Sequence, residues 1–311
     1  MKWVVYNFLV LFIAASCRNN HLLKETLTLG NYPSASAIEY YRQQFYIMGD
    51  DARYLLILDS SLAVLDSITL YEIAEKRISK DRKPDLESMT ILRQKNTVRL
   101  LLMGSGSLEP HRNLAWLIDP ATKRRDSIRL DTFYHRLRQQ GLDEVNIEGS
   151  CSIPGSLILS NRGHKGYRKN FLVFTHPSFY SNQSHVFLNL VRIGSNTDTT
   201  VFNGVSGLAY SPKSDRLVLT VSTEETRSVY DDGAIGKSYV WIVNNISSKQ
   251  RWKSINPNQV IDLEELDAGF KGQKIESACV VKETKHFLQL ALAADNDDGS
   301  STLFVVWIEK S

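Results

Sequence analysis

One short pattern recurs along the chain: a polar residue or glycine, an aliphatic residue, Glu or Ser, and then a residue with little or no side chain. It reads Asp85-Leu86-Glu87-Ser88, Asn146-Ile147-Glu148-Gly149, Gly204-Val205-Ser206-Gly207 and Lys274-Ile275-Glu276-Ser277. Each copy opens an apolar run, and each is followed by a second run that ends in polar turn residues, such as Leu157-Ile158-Leu159-Ser160-Asn161. A fainter copy begins near Ser36 and runs through Gln44 to Asp50, so the starts lie near 36, 87, 148, 206 and 276, spaced by 51 to 70 residues. A repeat of that length holds four short strands and a loop. Such a unit cannot bury its own faces and must stack on its neighbours.

The runs between the turns support this. Gln44 to Met48, Tyr54 to Leu58, Val98 to Met103, Phe171 to Phe174, Arg216 to Val221, Phe287 to Ala293 and Leu303 to Ile308 are short and rich in Val, Ile, Leu and aromatics, as strands are. Helical periodicity is confined to short pieces, the best of them Phe133 to Gln140 behind Asp131-Thr132. The expected fold is all-β, a five-bladed β-propeller over residues 24–311. Its last blade has three strands at the C-terminal end and takes its fourth from Lys24 to Leu29, closing the ring and hiding both edges. Six blades are the alternative, since Tyr71 to Pro84 and Asn244 to Gly272 are long enough to conceal strands.

In an up-and-down blade the innermost strand begins at the end where the second strand finishes. Glu87, Glu148, Ser206 and Glu276 should therefore ring one mouth of the axis, with the loops Gly104 to Asn113, Asn161 to Asn170, Ser222 to Ser238 and Asp295 to Ser301 rising beside them. Those loops are chemically loaded. One carries Glu224, Glu225, Tyr230, Asp231 and Asp232; another carries Asp295, Asp297 and Asp298; a third is cationic, with Arg162 nearest the strand end. Hard oxygens at alternating positions suit Ca²⁺, which makes Glu148, Glu276, Asp295, Asp297 and Asp298 the candidate metal ligands. Asp-Asn-Asp-Asp-Gly at 295–299 also reads as a polar turn. Like charges around a narrow funnel need a cation, protonation or basic neighbours, and Arg162, with Lys237 as a less central companion, offers the last. The ligand expected at this mouth is a small polar or anionic molecule or a cation. Nucleophile elbows, H-E-x-x-H, C-x-x-C and phosphate-binding loops do not occur. His111 and His164 fall in mouth loops without a Ser or Cys beside them.

The N-terminus is an address. Lys2 is followed by a charge-free apolar stretch to Ser16, and Ala14-Ala15-Ser16-Cys17 resembles a bacterial lipoprotein box. That resemblance implies a signal peptide over 1–16, a diacylated Cys17 and a tether over 17–23. The membrane is then met through the lipid anchor only, on an envelope protein that is monomeric or docks an envelope partner. The absence of Asp after Cys17 favours transfer to the outer membrane. Cys151 and Cys279 remain, both in apolar runs, and read as reduced packing residues. With 37 Lys+Arg against 34 Asp+Glu and no long single-sign run, nucleic acid is an unsuitable partner.

At Ile147-Glu148-Gly149 with Leu157 to Gly163, at Thr223-Glu224-Glu225-Thr226 with Tyr230 to Ala234, and at Ile275-Glu276 with Ala294 to Asp297, the chain resembles an uncharacterised bacterial β-propeller family. More distantly it is similar to the phytase-like esterase propellers. The resemblance spans about residues 30 to 310 and implies a propeller with a polar mouth. Through the esterases it also implies metal-assisted hydrolysis of a phosphate or carboxylate ester, an alternative to simple binding or to a scaffold role.

Overall fold

The computed structural model describes residues 22–94, 97–194, 201–224, 235–296 and 298–310. Strand β1 (Leu22–Leu29) is set aside at first, and four antiparallel strands then form blade 1: β2 (Ala35–Tyr41), β3 (Gln44–Gly49), β4 (Tyr54–Asp59) and β5 (Val64–Thr69). Blade 2 is β6 (Leu86–Gln94), β7 (Thr97–Gly104), β8 (Leu114–Ile118) and β9 (Arg125–Arg129), followed by helix α1 (Asp131–Gln139). Blade 3 holds β10 (Ile147–Ile153), β11 (Ser156–Asn161), β12 (Asn170–Thr175) and β13 (Leu188–Ile193). Blade 4 is β14 (Asn203–Ser211), β15 (Arg216–Glu224), β16 (Ile235–Asn244) and, after the two-residue β17 (Ser254–Ile255), β18 (Gln259–Asp262). β17 extends blade 3 by a parallel pairing with β13. Blade 5 is β19 (Lys274–Glu283), β20 (Phe287–Asp295) and β21 (Ser301–Glu309), and its outer strand is β1, antiparallel to β21.

The five-bladed ring and its closure by the N-terminal strand thus stand as expected. Of the two stretches that left room for a sixth blade, 244–272 supplies β17 and β18 to blades 3 and 4. Tyr71 to Pro84 contributes a single bridge, Arg77 to Ala52.

Period-2 alternation explains why the strands read as continuous apolar runs. A blade is packed on both faces, so alternate side chains enter different cores. Leu100 and Leu102 face blade 1 while Leu101 and Met103 face blade 3. Likewise Leu217, Leu219 and Val221 face blade 3, and Val218 faces blade 5. Five hydrophobic cores result, one between each pair of neighbouring blades. All of these leucines are fully buried, and truncating one to Ala would cost about 2–5 kcal/mol. Helix α1 drives Phe133, Tyr134 and Leu137 into the core between blades 2 and 3.

Candidate functional site

The recurring tetrapeptide is a β-bulge. In the β2–β3, β6–β7, β10–β11 and β19–β20 pairs the register slips between Ala35 and Ala37, Leu86 and Ser88, Ile147 and Gly149, and Ile275 and Ser277. In β14–β15 it slips between Val205 and Leu208. The residue skipped each time is Ser36, Glu87, Glu148 or Glu276, and in blade 4 Ser206 with Gly207. A bulged residue is freed from the ladder and re-aimed, so the inner strand of every blade turns one polar side chain out of its sheet at the same mouth.

The small residue that follows has its own cause. A Cβ on Gly149 would lie 2.5 Å from the Ser206 carbonyl oxygen, and one on Gly207 would lie 2.6 Å from Ser277 Cα. The inner strands of neighbouring blades approach too closely there for a side chain.

Blades 3, 4 and 5 are joined by Arg162. Leaving the end of β11, it donates its backbone N–H to the Asn146 carbonyl at 2.9 Å. The buried guanidinium then spans the pit. Nη1 is 3.3 Å from Glu148 Oε2, 3.2 Å from Ser206 Oγ and 3.6 Å from Glu276 Oε2, and Nη2 donates to Ser222 Oγ at 2.9 Å. Gly204 makes room for it, since a Cβ there would stand 2.5 Å from Arg162 Nε. The far sides of the two carboxylates are also held: Asn146 Nδ2 donates to Glu148 at 2.7 Å, and Lys274 Nζ is 2.8 Å from Glu276 Oε1.

Blades 1 and 2 supply a second cluster around Lys83. Its ammonium pairs with Asp50 and lies 2.9 Å from Asp85 Oδ1. Asp85 Oδ2 accepts from Arg112 Nη1 at 2.7 Å and from Ser105 Oγ at 2.5 Å. Burial alone would raise the Asp85 carboxyl, but Lys83 and Arg112 overturn that and hold it below its ordinary value. Asp50 goes the other way, to about 6, because burial and the neighbouring Asp85 and Asp51 outweigh Lys83.

Glu87 lies between the two clusters. Its carboxyl is pushed well above the ordinary range, first by burial and then by the charges of Asp85, Asp50 and Glu148, with Lys83 opposing. Asp50, Asp85, Glu148 and Glu276 each have a basic group within 4.0 Å. Among the described residues Glu87 has none. The ligand oxygens of Asp50, Asp85 and Glu87 lie within 4.8 Å of one another, so a metal ion there would compete with the Lys83 ammonium already paired to two of them.

The structure therefore brings Glu87, Glu148, Arg162 and Glu276 into one pit. Basic neighbours neutralise most of its carboxylates, and at Glu87 burial and the surrounding charges favour the protonated form. The other expected residues lie at strand ends and in the mouth loops, or outside the described residues. Asp295 ends β20, half-buried and in register with Lys274 and Ser301. Asp298 is exposed, and its Oδ1 accepts from Ser300 N at 2.9 Å and Ser300 Oγ at 2.6 Å, closing a turn with Gly299 at φ 88°. Glu224 ends β15 opposite Ile235. Glu225, Tyr230, Asp231, Asp232 and Asp297 lie outside the described residues. The exposed Lys237 pairs with the half-buried Asp262 at 2.7 Å. His164 accepts from Gly166 N through Nδ1 at 3.0 Å and meets Glu144 through Nε2 at 2.5 Å. One ring nitrogen closes its own loop, and the other ties that loop to the connection between α1 and β10.

Lys83, Asp50, Arg112 and Lys274 were not among the expected site residues. One signal was present: Asp85, Asn146 and Lys274 fill the first position of the recurring tetrapeptide, and each partners the pit from there.

Residues 31–308 match a family of unknown function, DUF6929. The chain belongs to that family. Among solved structures it is similar to a glutaminyl cyclase from Myxococcus xanthus, at 11% identity over 94% of this chain and 97% of that chain, with a TM-score of 0.55. It is also similar to a DUF4221 family member from Bacteroides vulgatus, at 12% identity over 94% and 98% of the two chains, with a TM-score of 0.41. At such identities the first likeness speaks for the propeller fold alone, and the second carries no argument. Comparison with curated proteins returned no match. The likeness to phytase-like esterases rests on the sequence motifs only.

Proposed function

We propose that this DUF6929 chain is a binding propeller whose axial pit takes a small cation or the cationic group of a small polar ligand, with Glu87 as its receptor. One observation supports this above the rest. Glu87 is the pit carboxyl without a basic partner among the described residues, and three other carboxylates raise the potential cost of its ionisation. A bound cation removes that cost, so uptake is coupled to proton release. Ca²⁺ is the metal candidate, and a primary ammonium group is the organic one. A metal-assisted hydrolase would further require a divalent ion to displace Lys83 from Asp50 and Asp85.

Isothermal titration with calcium chloride and with putrescine at pH 7, run in two buffers of different ionisation enthalpy, tests the proposal. Saturable uptake of one of the two, with a buffer-dependent heat that Glu87→Gln abolishes, is expected. Heats of dilution alone for both probes, or uptake unchanged in Glu87→Gln, would contradict it.

The address motif at Cys17 supports placing this propeller on the bacterial outer membrane through a lipid tether. Two or three acyl chains would make such an anchor durable. Labelling of the full chain with a palmitate analogue, lost in Cys17→Ser, is the expected result; a soluble, unlabelled wild-type chain would refute it.

A further inference from the structure

The five inner strands all run away from the acidic pit and end at the opposite mouth, where they enclose a separate cavity of about 800 Å³, a volume typical of small-molecule sites. Every blade contributes to its wall. Tyr40, Ile91, Ile153, Tyr210 and Val280 supply an apolar lining, and the Cys151 thiol and Glu39 carboxyl stand among them.

Its charge is opposite in character to that of the pit. Arg93, Lys213 and Lys282, from blades 2, 4 and 5, are exposed at its edge, and His176 joins them from blade 3. The acid beside them is spoken for. Glu283 is buried and accepts from Ser211 Oγ at 2.5 Å, Lys213 N at 3.2 Å and Lys310 Nζ at 2.9 Å. Glu39 takes the Tyr40 backbone N–H at 3.0 Å.

We infer that this cavity is a second binding site, for an organic anion: a carboxylate with a short apolar body, its head held by Arg93, Lys213 and Lys282 and its body laid along the apolar wall.

Glu39 makes such binding depend on pH. Burial raises its carboxyl to about 7, against the pull of the Tyr40 and Ile91 backbone N–H groups and Arg93. The other ionisable groups around it are Cys151 and Cys279, both neutral because burial lifts their thiols, with Tyr210, Lys213, Lys282, Glu283 and His176 further along the cavity. An anion binds beside a protonated Glu39 and is repelled by an ionised one. Affinity should therefore be highest below pH 7 and fade as the pH rises through it.

Calorimetric titration of the protein with octanoate at pH 6 and pH 8.5, with inorganic phosphate as the headgroup control, decides the matter. One saturable octanoate site is expected, at least fivefold tighter at pH 6. The double variant Arg93→Ala, Lys282→Ala should weaken it at least tenfold at an unchanged thermal midpoint, and Lys213→Ala should weaken it less. Glu39→Gln should bind with the pH dependence removed, whereas His176→Asn should keep it. The proposal is overturned by the absence of saturable octanoate binding, by an affinity indifferent to the loss of Arg93 and Lys282, or by a pH dependence that persists in Glu39→Gln. Phosphate binding as tightly as octanoate would equally overturn it, because the apolar wall would then contribute nothing.

Discussion

Replacing Arg162 by Met keeps most of the aliphatic volume and removes the charged fork that ties blades 3, 4 and 5 together. Ser206 and Ser222 each lose a donor, at 3.2 and 2.9 Å, a loss of about 1 kcal/mol apiece. Glu148 and Glu276, whose side chains are only 13% and 8% exposed, lose a cation where breaking a buried pair costs about 3–5 kcal/mol. Asn146 and Lys274 stay on the two carboxylates and offset part of this. The net expectation is a destabilisation of about 3–4 kcal/mol, measured by guanidinium chloride unfolding followed through tryptophan fluorescence. Adding Glu148→Gln and Glu276→Gln to Arg162→Met should recover at least half of it, since the cost is chiefly that of orphaned charge. A loss below about 1 kcal/mol, or a triple variant no more stable than Arg162→Met, would mean that orphaned charge is not the source of the cost.

Three further expectations follow from the same geometry. Because the folded protein holds Glu87 above its ordinary value, the stability this contributes is complete below about pH 4.5 and is lost as the pH rises through the folded value; relative to Glu87→Gln, wild type should lose about 1.4 kcal/mol per pH unit over that window, and parallel stability curves would contradict this. Gly149→Ala forces a Cβ onto the backbone oxygen of Ser206 at 2.5 Å, so a loss of about 2 kcal/mol or more is expected in thermal unfolding, whereas Gly155→Ala, with open space but φ 77°, should cost about 1 kcal/mol. Cys279 is buried and free, with its thiol raised by burial, so it should not react with a thiol reagent in the folded protein and should react in denaturant.

The propeller was legible because each blade is packed on both faces. Strands such as β11 and β20 therefore stand out as unbroken apolar runs, and the bulge at each inner strand writes itself into the sequence as Glu or Ser before a tiny residue. The fourth strand of blade 4 was not legible. β18 is four residues long, and Val260 on it is 55% exposed; like the largely exposed outer strands β5 and β9, it lacks the two-sided burial that marks the inner strands. The pit was half legible for a related reason. Glu87, Glu148 and Glu276 share a bulge position, and Arg162 follows a strand end, but Lys83 and Arg112 reach the pit from irregular loops whose paths no periodicity announces. Expecting the carboxylates to need neutralisation was sound; the identity of the neutralising groups depended on how the loop between blades 1 and 2, which carries Lys83, and the β7–β8 loop within blade 2, which carries Arg112, fold back.

Side chains far apart in the sequence form one electrostatic unit around the axis, with Glu87 its least compensated member among the described residues. Titration of the protein labelled with ¹³C at the glutamate carboxyl carbons, with Glu87 assigned by its Gln variant, measures this directly. The Glu87 carboxyl should titrate well above the ordinary range and move back toward it in Glu148→Gln and in Asp50→Asn. An ordinary value, unmoved by either substitution, would contradict the shared pit.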